Sequence, residues 1–315
     1  MNRLLPVLVL IAVAISGCTE KGPATAGKSI EELKNLSIAS AENLSSFATK
    51  ASVTQILKLY SNNDSNITTL TESAQSVSYV NLSQQKVHAS ASTKTLAEFA
   101  GEVVGNTSID VDYYLIGNST YQSDGHGNWT HLVDPRSADE IWGGDSNNQV
   151  KAIAETFNLS KTEDLGSESV DGEEAYKIKI LTGSEDLANL YMTASSVAAS
   201  IVQYPYNLPS FNQTELNETA KMEKTIWISK ESFLPVKYQS TMSFTMTPEI
   251  IATLNMQTGK MEMLNQSIPL GKVAVNTEST INYFDFNSPQ EIAPPAEALF
   301  APAILPAAST ASSQA

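Results

Sequence analysis

The chain is short of the residues that most catalytic and metal-binding motifs require. Its 315 residues include one cysteine, Cys18, and three histidines, His88, His126 and His131. A lone cysteine excludes an internal disulfide framework and a cysteine-rich zinc module. His126 and His131 flank Gly-Asn-Trp-Thr beside Asp124, at a spacing that fits no helix-borne or zinc-finger ligand set. They read as exposed turn residues, and no metal is expected. A Gly-x-Ser-x-Gly elbow, a phosphate loop and a dinucleotide fingerprint are also missing, so neither enzymatic activity nor a cofactor is expected. Positive charge is scarce: 19 Lys and Arg against 34 Asp and Glu leave a formal charge of −15. That balance repels phosphate backbones at long range and removes nucleic acid from the candidate partners.

Long apolar runs are absent except for one. Leu4 to Ile15 follows the positive charge of Arg3 and is too short to span a bilayer. It continues into Ile15-Ser-Gly-Cys18, which matches the lipobox of lipoprotein signal peptides. The reading is a signal segment at 1–17 cut before Cys18, acylation of Cys18, and a polar tether over 18–28 that reaches ~33 Å when extended. This places the protein on the outer face of the cytoplasmic membrane, held by the lipid on Cys18. At the other end, 301–315 is rich in Pro, Ala and Ser and is expected to be disordered, leaving 29–300 as the folded domain.

Asparagine is where the sequence is rich. The 22 asparagines and 65 serines and threonines would give roughly 4–5 Asn-x-Ser/Thr sequons by chance, whereas 12 are present. Asn81, Asn118 and Asn128 fall in expected turns, where a bulky glycan is best accommodated. Dense sequons behind a lipobox point to an archaeal envelope.

Period-2 alternation dominates the folded region. In 236–247 the even positions Val236, Tyr238, Ser240, Met242, Phe244 and Met246 form one face, and Lys, Gln, Ser and Thr form the other. Similar patterns recur at 109–115, 176–180 and 273–283, with weaker strands at 47–60, 75–82, 86–94, 119–123, 128–133, 162–169 and 223–229. Turn chemistry at 81–86, 124–128, 171–172 and 230–233 separates several of them. Three helical stretches interrupt the strands. Ser29 to Glu32 reads as a capping box opening a helix, 139–157 is a second helix broken at Gly143, and 184–202 is the third. The fold class is α+β: a strongly curved antiparallel sheet, an unclosed barrel, with helices packed on its concave face. Met242, Met246, Met256, Met261 and Met263 cluster in sequence, as ordinary packing or as the pliable wall of an apolar pocket.

Several segments resemble the lipoprotein-carrier superfamily of the LolA, LolB and LppX type. They are Tyr121-Gln-Ser-Asp-Gly-His-Gly-Asn-Trp129, Val170-Asp-Gly-Glu-Glu-Ala-Tyr-Lys-Ile178, Ile226-Trp-Ile-Ser-Lys-Glu-Ser-Phe-Leu-Pro-Val236 and Phe284-Asp-Phe-Asn-Ser-Pro-Gln-Glu-Ile292. The resemblance implies an open barrel whose helix-covered face encloses a cavity for acyl chains. The segment 248–269 and the C-terminal tail depart from that pattern. The leading expectation is a surface protein that holds an apolar or lipid ligand between the sheet and the 184–202 helix. Leu190, Tyr191, Val197, Ile201, Tyr238, Met242 and Phe244 would line that site. The alternative is a non-catalytic envelope scaffold with a self-filled core that meets another envelope protein.

Overall fold

The computed structural model describes residues 28–60, 67–143 and 147–304. The signal segment, Cys18, most of the tether, the sequons at Asn63 and Asn66, and residues 305–315 lie outside the described residues.

Helix α1 (Ile30–Glu42) opens the fold and leads into β1 (Ser46–Tyr60), β2 (Ile67–Asn81), β3 (Lys86–Phe99), β4 (Glu102–Ile116), β5 (Ser119–Ser123) and β6 (Trp129–Val133). Helices α2 (Ala138–Trp142) and α3 (Gln149–Leu159) follow, then the hairpin β7 (Thr162–Val170) and β8 (Glu173–Ile180), and α4 (Ser184–Ile201). The rest comprises β9 (Asn207–Phe211), α5 (Gln213–Thr219), β10 (Lys221–Ser229), β11 (Pro235–Met246), β12 (Pro248–Asn255), β13 (Lys260–Pro269), β14 (Val273–Phe284), α6 (Ala296–Leu299) and β15 (Ala303–Ile304). Twelve strands form one open sheet in the order β15-β6-β5-β4-β3-β2-β1-β14-β11-β10-β8-β7, and every neighbour pair except β15–β6 is antiparallel. A second sheet runs β13-β12-β9.

The local chemistry explains the punctuation. Ser29 Oγ accepts the Glu32 N–H at 3.2 Å and starts α1, while the Glu32 carboxylate turns to Lys28 rather than back to Ser29. Asp171 and Gly172 both have positive φ, the conformation a two-residue hairpin with the correct twist demands. Thr219 at the end of α5 exchanges two hydrogen bonds, each of 2.9 Å, with the backbone of Thr245, so a helix end takes the place of a strand partner on β11.

All three longer helices cover one face. Ile30 and Leu33 of α1 and Phe157 of α3 pack on Tyr176, Ile178, Ile180, Ile226 and Ile228. Ala41, Val150 and Ala154 pack with Phe47, Val80 and Tyr283. Helix α4 builds a separate cluster over Leu57, Phe244, Met246, Val273 and Val275.

Three expectations need correction. Val236 does not share a face with Tyr238: the register slips between Trp227 and Ile228, and the bulge turns Val236 into the outer-face cluster with Trp227 and Ala175. The tail is not wholly irregular, since Ala303 and Ile304 pair parallel to β6 at His131 and Leu132. His131 lies on β6, stacked at 4.3 Å on Tyr121, rather than in the turn. The segment 248–269, expected to depart from the common pattern, does so as the β12–β13 hairpin, which leaves the main sheet to pair with β9.

Candidate ligand-binding face

The structure brings six of the seven candidate lining residues together. Leu190, Val197 and Phe244 lie inside the α4 cluster, and Tyr191, Ile201 and Met242 pack against its margin. Leu190 is 0 % exposed and Phe244 2 %, so protein atoms surround both. Tyr238 stands apart, among the residues under α1 and α3. Tyr191 also donates its hydroxyl to Asn217 Oδ1 at 2.8 Å, tying α4 to α5.

Between the two helix-covered regions runs a band of different composition. Pairing register places Lys224, Ser240, Ser279, Val53, Ala74, Thr93 and Ile109 in one row across seven strands of the helix-covered face. The neighbouring row continues from Tyr238 and Ile281 to Ala51, Ser76, Ala91 and Val111. From β1 to β4 both rows therefore consist mostly of small side chains. Val53 and Ile109 remain 37 % exposed, although each points to the face that elsewhere is core. The result is a trough in side-chain bulk, a strip of small, partly exposed residues on the half of the sheet that no long helix covers.

At the other end of that row, Lys224 and Asp186 form an ion pair with side chains only 13 % and 6 % exposed. Asp186 also accepts the Gly183 N–H at 2.8 Å, so one carboxylate caps α4 and pins it to β10. Burial, reinforced by the Asp186 charge, pushes the Tyr238 hydroxyl far above the ordinary tyrosine range. Burial does the same to Tyr283, with Tyr238 adding to it.

The sequon asparagines differ sharply in access. Asn81 is 2 % exposed, and its Oδ1 caps the β2–β3 turn by accepting from Ser83 Oγ and the Gln84 N–H, so the expected glycan position there is closed. Asn118 is half-buried, and its amide donates to the Asp134 carbonyl at 3.0 Å. Asn128 is exposed in the β5–β6 turn. Asn106 and Asn265 lie inside strands yet are exposed.

Among the described residues, no group of three or more His, Cys, Asp or Glu converges to hold a metal, and no helix is long and apolar enough to cross a membrane. The trough is invisible to a search for apolar positions, because its signal is a deficit of bulk at strand positions that face the helices.

No family model matches the chain, and no curated protein matches it. Among solved structures, the Mycobacterium tuberculosis lipoprotein LppX aligns over 84 % of this chain and 98 % of its own, at 11 % identity and a TM-score of 0.36. A DUF1329 family protein from Desulfovibrio piger aligns over 84 % of this chain and 95 % of its own, at 9 % identity and a TM-score of 0.23. A lipoprotein-sorting protein domain from Vibrio parahaemolyticus aligns over 83 % of this chain and 93 % of its own, at 9 % identity and a TM-score of 0.20. At such values the architecture rests on the chain's own pairing register: an open twelve-stranded antiparallel sheet with its long helices on one face.

Proposed function

We propose that this is a non-enzymatic, lipid-anchored envelope protein that holds one apolar chain in the trough over β1–β4. One observation carries the reading: Val53 and Ile109 stay half-open to solvent on the helix-covered face, at the two ends of a run of small residues. A self-contained core would fill such positions with bulk. Three inter-strand steps separate Val53 from Ile109, about 14 Å at ~4.8 Å each. That is close to half the ~30 Å hydrocarbon thickness of a bilayer, which is the length of one leaflet's acyl chain. Each methylene withdrawn from water would contribute ~0.8 kcal/mol. Tyr191, Ile201 and Met242, half-buried at the margin of the α4 cluster, would form the rim on the other side of Val53. Anchoring through Cys18 would keep the trough beside a membrane that supplies such chains, with glycans on the exposed sequons of an archaeal-type surface.

Titration with a fluorescent fatty acid tests this, together with native mass spectrometry of the purified protein. The parent should bind with saturation. Val53→Trp should abolish binding while leaving the melting temperature nearly unchanged, because the indole enters open space. Absence of binding in the parent would leave the self-filled scaffold as the reading.

A further inference from the structure

A second concavity lies elsewhere on the molecule. It has a volume of about 310 Å³, at the lower end of the ~300–1,000 Å³ typical of ligand clefts, and it is lined by residues 50, 75–77, 90–92 and 110–112. Lys50, Val77, Ser90 and Asp112 are mutually paired across β1–β4, and Gln75, Ser92 and Asp110 form the parallel row two residues along. Both rows carry the parity of Lys237 and Trp227, so their side chains stand on the outer face, opposite the helices and the trough. The intervening Ser76, Ala91 and Val111 supply the floor through their backbone.

At Ser90 and Asp112 the wall is polar and held in place. Asp112 donates its N–H to Ser123 Oγ at 2.7 Å, and its Oδ1 accepts the Ser90 hydroxyl at 2.5 Å, with His88 Nε2 at 3.5 Å. His88 is itself held by parallel stacking on Tyr114 at 4.3 Å. Ser90 and Asp112 both reach the same imidazole nitrogen, so the three side chains do not form a nucleophile–base–acid relay. At the far end the β5–β6 turn closes against the free edge of β4. A Cβ on Gly125 would stand 2.6 Å from the Asp110 carbonyl oxygen.

We infer that this outer-face groove is a binding site for a neutral oligosaccharide. Lys50, Gln75, Ser90, Ser92, Asp110 and Asp112 offer donors and acceptors of both charge signs along four strands, about 14 Å at ~4.8 Å per step. Sugar hydroxyls both donate to carboxylates and accept from ammonium and hydroxyl groups, so they satisfy donors and acceptors of such a mixed row alike without adding charge to it. An anionic ligand would meet two carboxylates, and an apolar one would strip six polar side chains of water without replacement.

The test is titration of the full chain with maltotriose, cellotriose and mannotriose, followed by amide chemical shifts, with spermidine as the cationic control. At least one trisaccharide should give saturable shifts confined to the lining residues. The Asp110→Asn/Asp112→Asn variant should bind it about tenfold more weakly or worse. Unchanged circular dichroism would show that this variant is folded, and Gln75→Ala offers an independent weakening at an exposed position. No saturable shifts with any of the three at millimolar concentration, equal binding by the double variant, or a response to spermidine alone would each overturn the assignment.

Discussion

Asp186 and Lys224 are the joint by which α4 is fastened at its N-terminal end, and their removal has a calculable cost. Asp186→Asn keeps an oxygen for the Gly183 N–H but leaves a nearly buried ammonium beside a neutral amide. Lys224→Met keeps the aliphatic stem but leaves the carboxylate unpaired. Each single change strands one low-exposure charge and should destabilise the protein by about 3–5 kcal/mol. Over about 270 described residues, at ~2.1 cal/mol/K of unfolding entropy each, that lowers Tm by roughly 5–9 °C. The double variant Asp186→Asn/Lys224→Met removes both charges, retains the cap, and should recover to within about 1 kcal/mol of the parent. Differential scanning calorimetry on the four proteins closes the cycle. If the single losses were each below about 1 kcal/mol and simply added in the double variant, the pair would not be coupled and the pinning of α4 would have to come from apolar packing alone.

Spectrophotometric titration should find tyrosines that resist ionisation past the ordinary range near ~10. Because the native-state pKa values of Tyr238 and Tyr283 are raised, their stabilising contribution is intact below the unfolded value of ~10 and is lost as pH climbs from there; a transition in which all tyrosines titrate together in the folded protein would contradict their burial. Val197→Trp adds bulk to a filled cluster and should cost about 1–3 kcal/mol in urea unfolding, in contrast to Val53→Trp; equal stability of the two variants would erase the distinction between core and trough. Gly125→Ala combines positive φ with a backbone clash and should lower stability by about 1–3 kcal/mol, read by the same unfolding curve. Peptide mapping of protein from its native source should find glycans on Asn106, Asn128 or Asn265 and none on Asn81, and a glycan on Asn81 would refute the burial argument. Cys18→Ser should release the protein from membranes into the soluble fraction, and retention would point to an uncleaved anchor instead.

Much of this architecture can be read from periodicity. The alternation in β11 and β14 and the stripe in α4 come through because each element sets apolar side chains on the face packed under or against a helix and mostly polar ones on the other. The first half of β2 and the start of β4 escape, because where no helix covers the sheet both faces are half-exposed and the alternation disappears. The β12–β13 hairpin escapes for a related reason: Met256, Met261 and Met263 look like core residues, yet Met256 is 75 % exposed at the turn and the other two sit on an edge strand. Tyr238 shares a face with Met242 and Phe244 but lies four and six residues away along β11, under α1 and α3 rather than α4, and alternation alone does not say which helix covers which end of a strand. Asn81 has the composition of an accessible turn, but its side chain is consumed by the turn's own hydrogen bonds.

The two borders of the twelve-stranded sheet bear on crowding. An unprotected border strand invites neighbouring molecules to add to the sheet wherever local density is high. Here the open edge of β6 is occupied at His131 and Leu132 by the chain's own β15, running parallel, a partner that another molecule would first have to displace. On the opposite border, β7 carries Glu163, Asp164 and Glu168, a register break between Asp164 and Ser167, and a left-handed Gly166. Like charge and a kinked ladder deny a neighbour any straight run of pairing. One end of the sheet is guarded by occupancy and the other by repulsion, which leaves the outer edge of β4 before Tyr113 as the stretch where strand addition meets neither obstacle.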